Sequence, residues 1–221
     1  SKKIFARAEI AKLIAIVVAG PIGSLIAASF GLRSTMLFMA LPAFLALLVG
    51  LSFKEPKVKR KSLQENYIST LFSGIKYFKG HRILKILAFD RISVYSLVFM
   101  IIWLYQPALQ SLGVSIAYFG FVGGALTLFE MFFMNSFTFF EKLLGSKKNY
   151  LIWSAFIPGI ASIIMGFSTS VALTVIMIVL IGGLGLSRQV PFQSYMNKYI
   201  ESQNRATVLS TISMLESLAR G

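Results

Sequence analysis

Between Leu13 and Phe30, and again between Ser34 and Phe53, the chain carries no charged side chain. A bilayer's hydrocarbon core is about 30 Å thick, and about 20 helical residues cross it at a rise of about 1.5 Å each. Runs of this length and composition are helices in lipid before they are anything else. The apolar segments are residues 11–30, 35–53, 84–104, 114–140, 150–168 and 170–187, and a seventh begins near Ala206. The expected fold is all-α: a polytopic membrane protein of six transmembrane helices plus a truncated seventh. Hydrophobic residues make up 56% of the 221-residue chain, and its mean hydropathy of +0.75 is far above that of a soluble domain with one buried core.

The net charge of +14 would suggest a nucleic-acid partner in a soluble protein. The placement of the charges argues against that. Lys and Arg number four in residues 1–12, nine in 54–85, three in 141–149 and three in 188–205, nineteen of 22 on one side of the predicted spans. The other side has Arg33 alone; Arg91 lies inside a span and Arg220 at the end of the chain. This alternation is what the positive-inside rule requires of short loops. It predicts a multi-pass protein of the cell membrane whose basic loops are cytoplasmic, with the lipid bilayer as partner and no nucleic acid.

The stretch KEPKVKRKS, residues 54–62, is too charged for lipid and reads as a linker between two helical bundles. The expected organisation is residues 1–56 as the end of one bundle, with two transmembrane helices. Residues 57–82 form a central linker, and 83–221 a second bundle of four such helices and the start of a fifth. Within the linker, Leu63, Tyr67, Leu71, Ile75 and Phe78 recur at helical spacing with Lys76 and Lys79 alongside, the pattern of an amphipathic helix on the membrane surface. Basic residues beside anionic headgroups are favourable there.

Function is sought in the residues that are costly in lipid. A charge near the bilayer centre costs upwards of about 2.5 kcal/mol and persists where a cavity or a partner stabilises it. Asp90, Arg91 and Glu130 qualify. With the third span entered at Leu84, Arg91 lies roughly 10 Å deep, and Glu130 roughly 15 Å from the end of the fourth near Phe140. The two could meet across a helix interface. Glu130 has bulky apolar neighbours on every side, so an inward pose is expected, and a desolvated carboxyl suits proton binding and release. A static ion pair with Arg91 is the structural alternative. Asp90 and Arg91 sit near the basic mouth, as a gate contact or a structural pair. Adjacent helical positions point about 100° apart, so they cannot both face one partner well; Arg91 shares its face with Tyr95, Asp90 with Ser93 and Val94. Weaker candidates are Trp103, Tyr105, Gln106 and Asn135, of which Trp103 and Tyr105 read first as interfacial anchors.

Small residues cluster at Gly20, Pro21 and Gly23, at Gly120, Gly123 and Gly124, and at Gly182, Gly183 and Gly185. They allow close backbone approach, and Pro21 kinks its helix. The chain has no cysteine and one histidine, His81, in a basic loop. One loop histidine and two separated acids supply neither a nucleophile with its base nor a metal cluster, so an intramembrane enzyme is disfavoured. No cofactor is expected, and no phosphate-cradling loop for nucleotide hydrolysis appears.

Several loop motifs together resemble the major facilitator superfamily, the twelve-helix secondary transporters built from two six-helix halves. AGPIGSLIAASFGLR, residues 19–33, looks like that family's fifth helix and the turn after it, and FKEP, 53–56, like the end of its sixth. FEKLLGSKK, residues 140–148, is similar to the loop between the eighth and ninth helices, with Glu141, Lys142, Gly145, Lys147 and Lys148 at its motif positions. NKYIESQNRATVLSTISM, residues 197–214, resembles the approach to the eleventh helix in drug-efflux-like members, RATVLS from Arg205 being the most specific string. The resemblance implies helices five to ten and the start of eleven. It implies alternating-access transport of a small molecule, driven by an ion gradient. Drug or solute efflux coupled to protons is the expected activity, and the scarcity of polar side chains at mid-membrane points to a lipophilic substrate. From the charge argument above, Glu130 is expected to take part in proton coupling or recognition of a cationic group with Arg91 as counter-charge in one state, and Asp90 and Arg91 to brace the cytoplasmic gate; Glu141, Lys142, Gly145, Lys147, Lys148 and Arg205, from the matched motifs, are expected to form a gate or latch. The competing expectation is a structural or assembly membrane protein whose charges only pair helices.

Overall fold

The apolar runs fold as helices in the computed structural model, which describes residues 2–53, 75–78, 80–196, 199–200 and 205–219. In chain order these are α1 (Lys2–Phe30), α2 (Leu32–Ser52), α3 (Arg82–Ser111), α4 (Phe119–Asn135), α5 (Phe137–Leu143), α6 (Lys147–Phe167), α7 (Val171–Ser187), α8 (Gln189–Met196) and α9 (Arg205–Ala219), with a 3₁₀ turn Ile116–Tyr118 before α4. Five helical stretches are long and apolar enough to cross a membrane: Ile10–Phe30, Leu32–Ser52, Arg82–Ser111, Ile116–Asn135 and Lys147–Phe167. The sixth, Val171–Ser187, is as apolar but has 17 residues, about 26 Å of helix. The expected surface helix of the linker is helical at residues 75–78; the rest of it, with the linker, lies outside the described residues.

Two spans differ from the sequence expectation: the third, expected over 84–104, runs on to Ser111, and the fourth ends early. The fourth segment, expected over 114–140, breaks at Ser136, whose φ of −88° and ψ of 7° leave the helix before α5 begins. Asn135 and Ser136 are poor helix formers, because their side chains compete for backbone hydrogen bonds. The sixth run ends at Ser187, where the sequence places its end, and α8 begins after Arg188. Pro191, three residues on, has no N–H to give the carbonyl of Ser187, and its ring crowds that carbonyl.

The bundle is held in three layers along α3. At the basic end Leu84, Leu87 and Ala88 pack with Leu151, Phe192, Met196, Val208 and Ile212. In the middle Val98 and Ile101 meet Ala161 and Ile181. At the far end Tyr105 and Leu109 meet Phe119, Val122, Leu126 and Ile178. The outward faces carry exposed Leu, Ile and Phe, and α2 has no buried residue. A surface of this kind suits lipid.

The glycine clusters act in packing. A Cβ on Gly120 would collide with the backbone of Gly20, and one on Gly20 would come within 3.0 Å of the Gly120 carbonyl, so α1 and α4 cross backbone to backbone. Beside that crossing Ser24 Oγ lies 3.0 Å from the Pro21 carbonyl and 2.9 Å from the Ala117 carbonyl, and its one proton can go to either. On the other side of α4, a Cβ on Gly182 would collide with Leu126 and one on Gly183 would lie 2.7 Å from Phe129 Cβ. Gly185 likewise leaves room for Val98 of α3.

Replacing Gly120 by Leu is therefore expected to lower the stability of the detergent-solubilised protein by roughly 3 kcal/mol or prevent folding, as overpacking does. Gly159→Leu, at a position with nothing within 4 Å of a built Cβ, should stay within about 0.5 kcal/mol of the parent. Unfolding followed by tryptophan fluorescence compares the two.

Candidate functional site

The charged residues inside the bundle are placed by α3 and by the α7–α8 break. At the break the chain leaves Arg188 pointing back against α3 with its side chain 4% exposed, and its Nη2 donates to Asp90 Oδ2 at 2.5 Å. Asp90 is less enclosed, at 35%. The guanidinium also lies over the Phe192 ring, 5.4 Å from the centroid, a favourable stacking for a planar cation. Its Nη1 is buried with no hydrogen-bond partner. An arginine this buried is tolerated when its charge is paired, and an unsatisfied N–H beside that pair is a further cost of about 1–3 kcal/mol.

The pair stands between two cavities. One, of about 230 Å³, is lined by Arg91 and Tyr95 of α3, by Arg188 and Gln189, and by Ser213 and Ser217 of α9. The other, a groove of about 460 Å³ with mainly apolar walls, is lined by Asp90, Leu87, Lys148, Leu151, Tyr195 and Tyr199. The 100° step between neighbouring helical positions thus sends Asp90 and Arg91 into different cavities, with Arg91 on the face of Tyr95, as its spacing predicts.

Glu130 lies near the end of α4, half-buried, where α7 presses closely: a Cβ on Gly183 would sit 3.3 Å from its backbone nitrogen. Glu130 and Arg91 are each engaged by a neighbouring group. Trp103 is 69% exposed, as an interfacial anchor would be. Tyr105 is not an anchor. It is buried, its hydroxyl donates to the Phe119 carbonyl at 3.4 Å and accepts from Gln106 Nε2 at 3.2 Å. His81 is exposed and stacks on Tyr77.

The 140–148 motif forms a tight turn between α5 and α6. Gly145 takes φ +78°, the left-handed conformation that ends helices and that other residues reach at a cost of about 1–2 kcal/mol. Its N–H donates to the Lys142 carbonyl at 3.2 Å. Ser146 then caps α6, its hydroxyl accepting from the Asn149 N–H at 3.1 Å. Lys147 Nζ lies 5.9 Å from the Phe137 ring centroid, Glu141 is half-buried, and Lys142 is exposed. Lys148, also exposed, brings the motif to the groove that Asp90 lines. Arg205 opens α9, and its side chain lies outside the described residues.

Arg188 and the neighbouring Ser187, whose hydroxyl lies 3.4 Å from Tyr150 Oη, were not among the residues singled out from the sequence. Counting Arg188 with the loop cations hid it. Two signals pointed to it: it follows the apolar run GGLGLS with no polar spacer, and an acid at the depth of Asp90 requires a cation.

Breaking the pair should be asymmetric. Asp90→Asn leaves a buried guanidinium without its counter-charge and is expected to cost roughly 3 kcal/mol, whereas Arg188→Gln leaves an acid that water reaches and should cost less. The double variant should be more stable than the sum of the singles predicts. A thermal-unfolding double-mutant cycle measures both differences.

Comparison with curated proteins gives no match, and neither does comparison with solved structures. Comparison with protein families gives one that spans almost all of the chain. Its profile matches residues 2–221, taking in the apolar helices, the glycine crossings and the Asp90–Arg188 pair together. The chain belongs to the Major Facilitator Superfamily, and its helices are those of a multi-pass secondary transporter of small molecules.

Proposed function

We propose that this chain is the part of a proton-coupled exporter, of the drug-efflux-like kind, that spans helices five to the start of eleven. In this reading residues 1–56 close one bundle and 83–221 build the other, with the basic end facing the cytoplasm of a cell whose plasma membrane holds the protein. The observation that carries the reading is the Asp90–Arg188 pair, a buried contact between two cavities at the basic end. Alternating access requires contacts that form in one state and are relinquished in another. An ion pair with one partner near water can do this at modest energy, because the acid is rehydrated as it lets go.

Glu130 is then the coupling acid, loading and unloading a proton as α4 shifts against α1 and α7. Arg91 counters it in one state. Asp90 and Arg91 brace the cytoplasmic gate, and the turn from Glu141 to Lys148, with Arg205 at the foot of α9, latches it. The substrate is lipophilic. Lipid-like walls over most of the bundle and few polar groups between them support that class.

The test is proton-gradient-driven movement of lipophilic cationic dyes in vesicles holding the full-length transporter. Glu130→Gln is expected to abolish uphill movement at normal abundance and folding. Dye movement equal to the parent's would reduce Glu130 to a packing residue, the outcome that a purely structural role for these charges requires.

A further inference from the structure

Tyr150, in the first turn of α6, is a polar side chain almost wholly enclosed, at 2% exposed. Its backbone N–H donates to the Ser146 carbonyl at 3.1 Å, so the tight turn at Gly145 and the cap at Ser146 fix where its ring begins. The ring stands edge-on to Phe137, with centroids 5.0 Å apart. Its hydroxyl oxygen lies 3.4 Å from Ser187 Oγ. Ser187 has one proton, and the Leu184 carbonyl, at 2.9 Å, is the nearer acceptor for it. Tyr150 is therefore the donor toward Ser187, and a phenol that has given its proton away still has lone pairs with which to accept.

The next residue after Ser187 is Arg188, and its guanidinium and the Tyr150 hydroxyl are within electrostatic reach of each other. Asp90 takes Nη2 of that guanidinium, while Nη1 is buried and has no hydrogen-bond partner. A donor so enclosed is not served by water, and only an acceptor inside the bundle can satisfy it.

We propose that Tyr150 is the second acceptor for Arg188. When the guanidinium releases Asp90, Nη1 turns onto the Tyr150 oxygen, and the cation stays covered by α6, α7 and the Phe192 ring while the acid is hydrated. A carboxylate is the stronger acceptor, so Asp90 holds Arg188 in the arrangement seen here, and Tyr150 holds it once Asp90 has let go. Tyr150 is then a positioning residue for the gate, acting through Arg188. This rests on the pair opening during transport, as the proposed function has it, and not on the role given to Glu130.

Asp90→Asn removes the competing carboxylate and exposes the second contact without any need for transport. The full-length transporter is labelled with 3-fluorotyrosine, and the Tyr150 fluorine resonance is assigned by its loss in Tyr150→Phe. Asp90→Asn is expected to move that resonance by more than its linewidth, and Arg188→Gln added to Asp90→Asn to return it. Tyr150→Phe should lower the folding equilibrium constant about tenfold more in the Asp90→Asn protein than in the parent, the size of one hydrogen bond to a charged group. A tyrosine that only fills space predicts an unmoved resonance and the same loss of stability in both backgrounds, and that result overturns the proposal. If Asp90→Asn does not fold, Tyr150→Phe in the otherwise unaltered transporter decides. Its maximal rate of dye movement should fall about fivefold with KM within about twofold of the parent's, and a rate equal to the parent's refutes the second contact. Because the fluorine readout involves no transport, a coupling role lost by Glu130 and a second acceptor lost by Arg188 are separate outcomes.

Discussion

Glycine lets the backbone of α4 approach α1 on one side and α7 on the other, and the remaining geometry follows from those two crossings. In lipid no hydrophobic force draws helices together, since the surrounding tails are as apolar as leucine. Association relies on van der Waals contact, which falls away steeply with distance. Gly20 against Gly120, and Gly182 and Gly183 against Leu126 and Phe129, bring three helices into contact where larger residues would hold them apart. Gly185 continues the same face of α7 onto Val98 of α3. Once α3 and α7 are set, the position of Asp90 and the end of α7 are set with them.

The ion pair uses that geometry. Arg188 stands where Pro191 prevents a straight continuation from α7, and Asp90 stands two turns into α3. The pair is a direct electrostatic link between the two elements. Its two halves are unequal: the arginine is enclosed and the acid partly open. Separation is thus cheaper along paths that hydrate Asp90 while keeping Arg188 covered or newly paired.

The helices could be read from the sequence because spanning lipid imposes a length and a composition that few other structures share. The glycine clusters were legible for the same reason, as backbone approach in lipid has little other means. The fourth span was overextended because 114–140 is apolar throughout, and hydropathy does not register that Asn135 and Ser136 turn the chain. Asp90, Arg91 and Glu130 were found as charges out of place, and the separate faces of the first two followed from helical geometry. Arg188 was not found, because at a span's end a snorkelling loop cation and a buried ion-pair partner look alike in sequence. Tyr105 was misread for a similar reason, since aromatic residues near a span's end are usually anchors and only packing shows which are enclosed.

The turn from Glu141 to Lys148 gains meaning from what it borders. Gly145 and the Ser146 cap fix the start of α6 tightly, and this places Lys148 on the groove that Asp90 lines. Asp90 therefore has Arg188 in direct contact, and its groove also has Lys148 on the wall, a compact and strongly hydrated charge on a flexible stem. An acid so placed need not be stranded when its arginine moves, because its side chain is 35% exposed and water can reach it. The arginine has the converse need, for it is enclosed, with a side chain only 4% exposed. Its departure from Asp90 is favourable only where it stays covered or meets another acceptor.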